Sequence, residues 1–148
     1  DAALIRAFLL YRTYHGSAMS GTVAAASIAA WNDETHVRAN RAEYAAKFAR
    51  LQPQVAAVLP CTMPEAAFYL WARTPIDDDL FAQRLYAEEN VAVLPGSYVA
   101  RDAHGGNPGY RRVRLALVAS QDECAEAVGR IAAFARRLAP ASATAGAG

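Results

Sequence analysis

The sequence predicts an α+β domain: a small three-stranded sheet covered by helices, with a long helical segment before it. Three observations predict it. Apolar residues recur at three- and four-residue spacing up to Leu59. Three apolar runs of strand length follow, at 67–72, 91–94 and 112–118. Helix-start signals lie between and after them, at Asp77-Asp78-Asp79 and at Ser120 with Glu123.

The elements follow in order. Asp1 caps a first helix bearing Leu4, Ile5, Phe8 and Leu9, which Gly16 ends. Residues 13–20 form a loop, and Ser20 caps an Ala-rich second helix that runs to Trp31. Asp33 caps a third, whose seam is Val37, Tyr44, Phe48, Leu51, Val55 and Val58. Glu43 and Lys47 stand one turn apart on its polar face, and Pro53 is expected to kink or restart it. Residues 67–72 are apolar on both faces and read as a covered strand. The aspartates open a helix with Leu80, Phe81, Leu85 and Tyr86 that stops near Asn90. A second strand, 91–94, ends at Pro95-Gly96, and a polar loop runs from Ser97 to Tyr110. The third strand, 112–118, leads to the Ser120/Glu123 capping box and a last helix with Cys124, Val128, Ile131, Phe134 and Leu138. One domain over 1–139 is expected, with a flexible tail over 140–148 of Ala, Gly, Ser and Thr.

Composition narrows the function. The 148 residues suffice for one core. Fifteen basic against fourteen acidic residues leave a net charge of +1, which argues against a nucleic-acid binder. No apolar run reaches the length of a membrane span, and Asp1-Ala2-Ala3-Leu4 reads as a helix start rather than a secretion leader. Cys61 and Cys124 lie far apart, without the spacing of a disulfide scaffold or zinc site, so a cytoplasmic location is expected. Fourteen of the basic residues are arginine, so chemistry that needs a lysine amine has only Lys47. His15, His36 and His104 are too scattered to form a metal site. Tyr14-His15 could titrate as a pair.

Arg114 is the most informative residue. Alternation along 112–118 puts Val113, Leu115 and Leu117 on one face and Arg112, Arg114 and Ala116 on the other. A guanidinium in mid-strand needs a partner, and its planar fork suits a carboxylate. Two readings stand on pattern alone: an anchor for a substrate carboxylate, or a solvent-facing or internally paired arginine. Gly96 lets the backbone approach a ligand and Ser97 offers a hydroxyl and an N–H, but Pro95-Gly96 also marks an ordinary turn.

The runs 67–71, 91–97 and 112–117, in this order and spacing, resemble class I/II aminotransferases of fold type I, which use pyridoxal phosphate. The resemblance extends from Asp1 to about Leu138. Residues 10–16, 26–34 and 94–101 carry a narrower likeness to N-succinyldiaminopimelate aminotransferases of lysine and diaminopimelate synthesis. The resemblance implies that Arg114 binds the substrate α-carboxylate and that Gly96 and Ser97 border the active site. It implies that the segment from Arg12 to Ser20 lies near a homodimer interface, with Arg101 or Arg12 available to a distal carboxylate. The implied partners are an amino-acid or keto-acid substrate, with glutamate as amino donor.

The cofactor-linking lysine, phosphate-binding arginine, pyridine-nitrogen aspartate and stacking aromatic of that family lie upstream of the matched region. The resemblance therefore implies the C-terminal portion of a longer enzyme. This piece would have no catalytic, cofactor-binding or metal residue of its own and no covalent link to pyridoxal phosphate, and would be inactive alone. Two rival readings are a stand-alone small-molecule-binding or regulatory α+β domain, and a structural module that pairs through its Ala-rich helices.

Overall fold

Asp1 caps the first helix, α1 (Ala2–Thr13), by accepting from the N–H groups of Ala3 and Leu4 at 2.7 and 3.2 Å. The computed structural model describes residues 1–16 and 18–138, so the tail expected over 140–148 lies outside the described residues. By its contacts the chain divides into two units, 1–40 and 41 onward, where the sequence reading has one domain over 1–139.

The first unit holds α1, α2 (Gly21–Asn32) and the start of α3 (Thr35–Ala56). Gly16 has φ +57 just after α1, a conformation glycine adopts without strain. Ser20 Oγ accepts from Val23 N–H at 3.3 Å, and Asp33 Oδ1 accepts from Thr35 N–H at 3.0 Å, so both expected caps form. That hydrogen bond from Thr35, with His36 beside it, holds the Asp33 carboxyl below the usual carboxylate range. His15 packs edge-on against Tyr11, with centroids 4.2 Å apart, rather than pairing with its neighbour Tyr14. Leu4, Ile5, Phe8, Leu9 and Trp31 are all exposed.

In the second unit α3 buries Phe48, Leu51 and Val55 and runs unbroken through Pro53, which falls in its last turn. The expected restart at Pro53 does not occur. The sheet contains β1 (Tyr69–Arg73), β2 (Leu94–Pro95) and β3 (Arg112–Ala116), in antiparallel order β1-β3-β2. Of the second expected strand, 91–94, only Leu94 pairs, and the two-residue β2 runs one position further, to Pro95. Pro95 has no N–H to donate, and Gly96 opens a one-turn helix, α5 (Gly96–Val99). Residues 67–68 are not strand either, since Ala67 has φ +79. The strand expected to be covered on both faces is covered fully on one. Leu70 and Ala72 are buried, whereas Tyr69 and Trp71 are half-buried on the other face.

Helices α4 (Asp78–Glu89) and α6 (Gln121–Leu138) complete the core. Asn90 ends α4 in the left-handed conformation, φ +55. The capping box forms: Ser120 Oγ accepts from Glu123 N–H at 3.3 Å, and Glu123 accepts from Ser120 N–H at 3.0 Å. Cys124, Val128, Ile131 and Phe134 turn inward from α6, and Phe134 meets Phe81 of α4 edge-to-face at 5.2 Å. No helix among the described residues is long and apolar enough to cross a membrane.

Lys47 departs most from expectation. It is buried, 4% exposed, and not on the polar face of α3. Its Nζ donates to the carbonyls of Leu117 at 3.1 Å and Ala119 at 2.6 Å, with Glu43 Oε1 at 3.7 Å. The spacing from Tyr44 to Leu51 puts position 47 on the seam itself, so the stem packs inward and the ammonium satisfies carbonyls just beyond β3. Replacing Lys47 with methionine keeps the apolar stem but strips both carbonyls of the ammonium, leaving Ala119 O with only the weak Cys124 thiol donor at 3.5 Å. We expect a loss of about 2 kcal/mol in urea unfolding; an unchanged midpoint would refute the role.

Candidate active site

The register between β1 and β3 builds the site. Leu70 faces Leu115 and Ala72 faces Val113, all turned to the core. The intervening pairs are therefore outward: Tyr69 with Ala116, Trp71 with Arg114, and Arg73 with Arg112. The flanking bonds Thr74 N–H to Arg111 O, 3.0 Å, and Leu117 N–H to Phe68 O, 2.9 Å, make these outward pairs the non-hydrogen-bonded ones. Their Cα atoms then approach to about 4.5 Å, which brings the side chains together. On its other side Arg114 faces Leu94 of β2.

Arg114 is half-buried beside an open depression of about 500 Å³, lined by Tyr69, Trp71, Val99 and Arg114. Its guanidinium lies over the Tyr69 ring, 5.5 Å from the centroid. Its Nε is the one buried side-chain polar atom without a hydrogen-bond partner among the described residues. No carboxylate lies within ion-pair distance of it among those residues, whereas Arg50, Arg84, Arg111, Arg130 and Arg137 each have one. A buried N–H beside an open depression with no internal acceptor suits an external anion.

One buried carboxylate ties α5, which carries Val99, to the residue that precedes β3. Asp78 is 2% exposed and points back from the start of α4. Its Oδ2 accepts from the N–H and hydroxyl of Ser97 at 2.9 and 2.6 Å, and its Oδ1 accepts from Arg111 N–H at 3.0 Å. Burial raises the Asp78 carboxyl, but the hydrogen bonds from Ser97 and Arg111 outweigh it and hold the group below its ordinary value. Next to it, the Tyr110 hydroxyl donates to Asp77 Oδ1 at 2.5 Å, with Arg111 at 3.3 Å, and that hydrogen bond lowers the Asp77 carboxyl. The start of α4 thus ties both β2–α5 and the entry to β3.

The expected site residues divide on these facts. Gly96 is buried beneath Trp71. A Cβ there would overlap Gly109 O, and would come within 2.8 Å of Arg112 O and the Trp71 ring. Its role is close packing under the site. Both donors of Ser97 are engaged by Asp78, so they serve the loop rather than an open face, which corrects the expectation that they are offered to a ligand. Arg101 is exposed in the loop after α5. Arg12 is exposed in the other unit, with its guanidinium 5.8 Å from the centre of the Phe8 ring. Sequence reasoning missed Asp78, which it took for a helix-start carboxylate. Asp77, the residue at the cap position, makes no side-chain cap bond. No group of three His, Cys, Asp or Glu among the described residues could hold a metal.

Two outcomes are expected. Gly96→Ala should destabilise the fold by about 2 kcal/mol, because two of the overlapped atoms are backbone and cannot swing away; a neutral thermal midpoint would contradict this. Asp78→Asn should lose about 2–3 kcal/mol at neutral pH. Because folding lowers the Asp78 pKa, its contribution is complete above the unfolded value, about 3.9, and is lost as pH falls through the folded one. The gap between the wild-type and variant urea midpoints should close on acidification below about pH 4. A gap independent of pH would assign the loss to packing alone.

The comparisons agree with this architecture. Residues 4–131 match the family Aminotransferase class I and II. A probable aminotransferase of Mycobacterium tuberculosis is 31% identical over 134 residues, 88% of this chain and 30% of that protein. The crystal structure of an aminotransferase from Neisseria meningitidis matches with a TM-score of 0.78 and 49% identity, over 92% of this chain and 35% of that one. A probable N-succinyldiaminopimelate aminotransferase from Thermus thermophilus matches with a TM-score of 0.57 and 33% identity, over 69% of this chain and 26% of that one. The chain therefore spans about a third of the length of such relatives. With this sheet, this register and this match over most of its length, the chain belongs to the class I and II aminotransferase family.

Proposed function

We propose that this chain is the substrate-carboxylate-binding portion of a longer pyridoxal-phosphate-dependent aminotransferase, which moves an amino group between glutamate and a keto acid. One observation carries the reading: the buried Nε of Arg114 has no partner among the described residues and lies beside an open depression walled by Tyr69 and Trp71. A guanidinium so placed binds a substrate carboxylate through two parallel hydrogen bonds, while the aromatic walls exclude water and fix the substrate plane. That orientation is what Arg114 contributes to the reaction.

The residues of this chain do not fit covalent attachment of the cofactor. Its one lysine, Lys47, is buried with Nζ donating to two backbone carbonyls, behind the core-facing side of the sheet rather than on its open face. A Schiff-base amine must be free to lose its proton and reach the substrate. Pyridoxal phosphate supplies the electron sink of transamination, and its holding groups belong to the rest of the enzyme. The exposed apolar residues of α1 and α2 support the same reading, since contiguous apolar surface of this kind calls for a cover such as the remaining chain or a second subunit. For the substrate we favour a succinylated amino acid of the diaminopimelate type. The likeness to the Thermus thermophilus protein supports it.

Arg114→Gln in the longer enzyme should lower kcat/KM for glutamate by at least about 2 kcal/mol, roughly 30-fold, with its unfolding midpoint unchanged. An unchanged kcat/KM would refute the carboxylate role of Arg114.

A further inference from the structure

Trp71 separates two depressions on the open face of the sheet. One holds Arg114. The other, of about 510 Å³, is lined by Pro60, Cys61, Trp71, Arg73 and Arg112 among others, with no acidic residue. Arg73 and Arg112 are directly opposite in the register, as a non-hydrogen-bonded pair. Two like charges held about 4.5 Å apart at Cα repel. A carboxylate within reach would relieve that repulsion, yet among the described residues neither guanidinium has one, although five other arginines of this unit do. Arg112 and Arg114 point the same way on one strand, two residues or roughly 6.6 Å apart.

We infer that Arg73 and Arg112 form a second anion subsite, one indole ring beyond Arg114, that takes the distal carboxylate of a substrate with two acid groups. The inference rests on the reading of Arg114 as the first carboxylate anchor, and it gives the distal role to residues other than Arg101 and Arg12. An acid bound at Arg114 that extends along β3 passes the Trp71 edge and meets two forked cations with free donors. A neutral tail of the same length finds only the repelling pair.

The test titrates the 148-residue chain with adipate, a six-carbon diacid, and with hexanoate, its mono-acid counterpart, following the Trp71 indole N–H by NMR. The wild type should bind adipate at least about ten-fold more tightly than hexanoate, with an advantage that falls as salt is added. The double variant Arg73→Gln/Arg112→Gln should lose that advantage, keep hexanoate binding, and unfold no earlier than the wild type, since a repulsion has been removed. Arg114→Gln should weaken both ligands. Equal affinities of the wild type for the two ligands, including no measurable binding of either, would overturn the subsite, as would an advantage that survives the double variant. If adipate keeps its advantage through Arg73 and Arg112 while Arg114→Gln changes neither affinity, the anchor reading of Arg114 fails instead.

Discussion

The pairing of β1 with β3 is the constraint on which the rest depends. Four core residues, Leu70, Ala72, Val113 and Leu115, demand one register, and that register alone puts Trp71, Arg73, Arg112 and Arg114 together on the open face. A slip of one residue would turn the arginines of β3 into the core and the leucines into solvent. Burying an unpaired guanidinium costs far more than the sheet could recover, so hydrophobic burial on one face enforces the arrangement of cations on the other.

Two polar devices hold that sheet in place from opposite sides. Lys47 reaches from α3 to the carbonyls that follow β3 and fixes the strand where it leaves the sheet. Asp78 reaches from α4 to Ser97 and Arg111 and fixes the strand where it enters, together with the turn into α5. Both groups are charged, both are buried, and both satisfy backbone atoms that secondary structure leaves open. Between these clamps, Arg114 keeps a buried donor unsatisfied. Among the described residues it is the one buried side-chain polar atom left open, and the proposed carboxylate would satisfy it.

Much of this was legible in the residues. The element order apart from α5, which falls where a loop was expected, the caps at Asp1, Ser20 and Asp33, and the Ser120/Glu123 box are local signals, and each acts through contacts a few residues away. Arg114 was legible because alternation sets its face once the strand is recognised. Asp78 was not, because its partners lie 19 and 33 residues along the chain and only the fold brings them near. Lys47 was half legible. Its spacing from Phe48 and Leu51 places it on the seam, but an expectation of surface lysine obscured this until the carbonyls beyond β3 appeared beside it. The shortness of β2 follows from Pro95 and from Gly96 wedged under Trp71, a contact that no pattern along the chain reports.

The most direct measurement is the Nε–H resonance of Arg114 in protein labelled with 15N-arginine, followed as glutamate is added. A donor that is shielded from solvent and lacks an internal acceptor should give a distinct, slowly exchanging signal at a position free of hydrogen bonding. That signal should then move downfield and saturate as the carboxylate docks. A signal already at a hydrogen-bonded position, or one exchanging as fast as a free arginine and indifferent to glutamate, would mean that the guanidinium has another partner and that the open face of the sheet is not the substrate's.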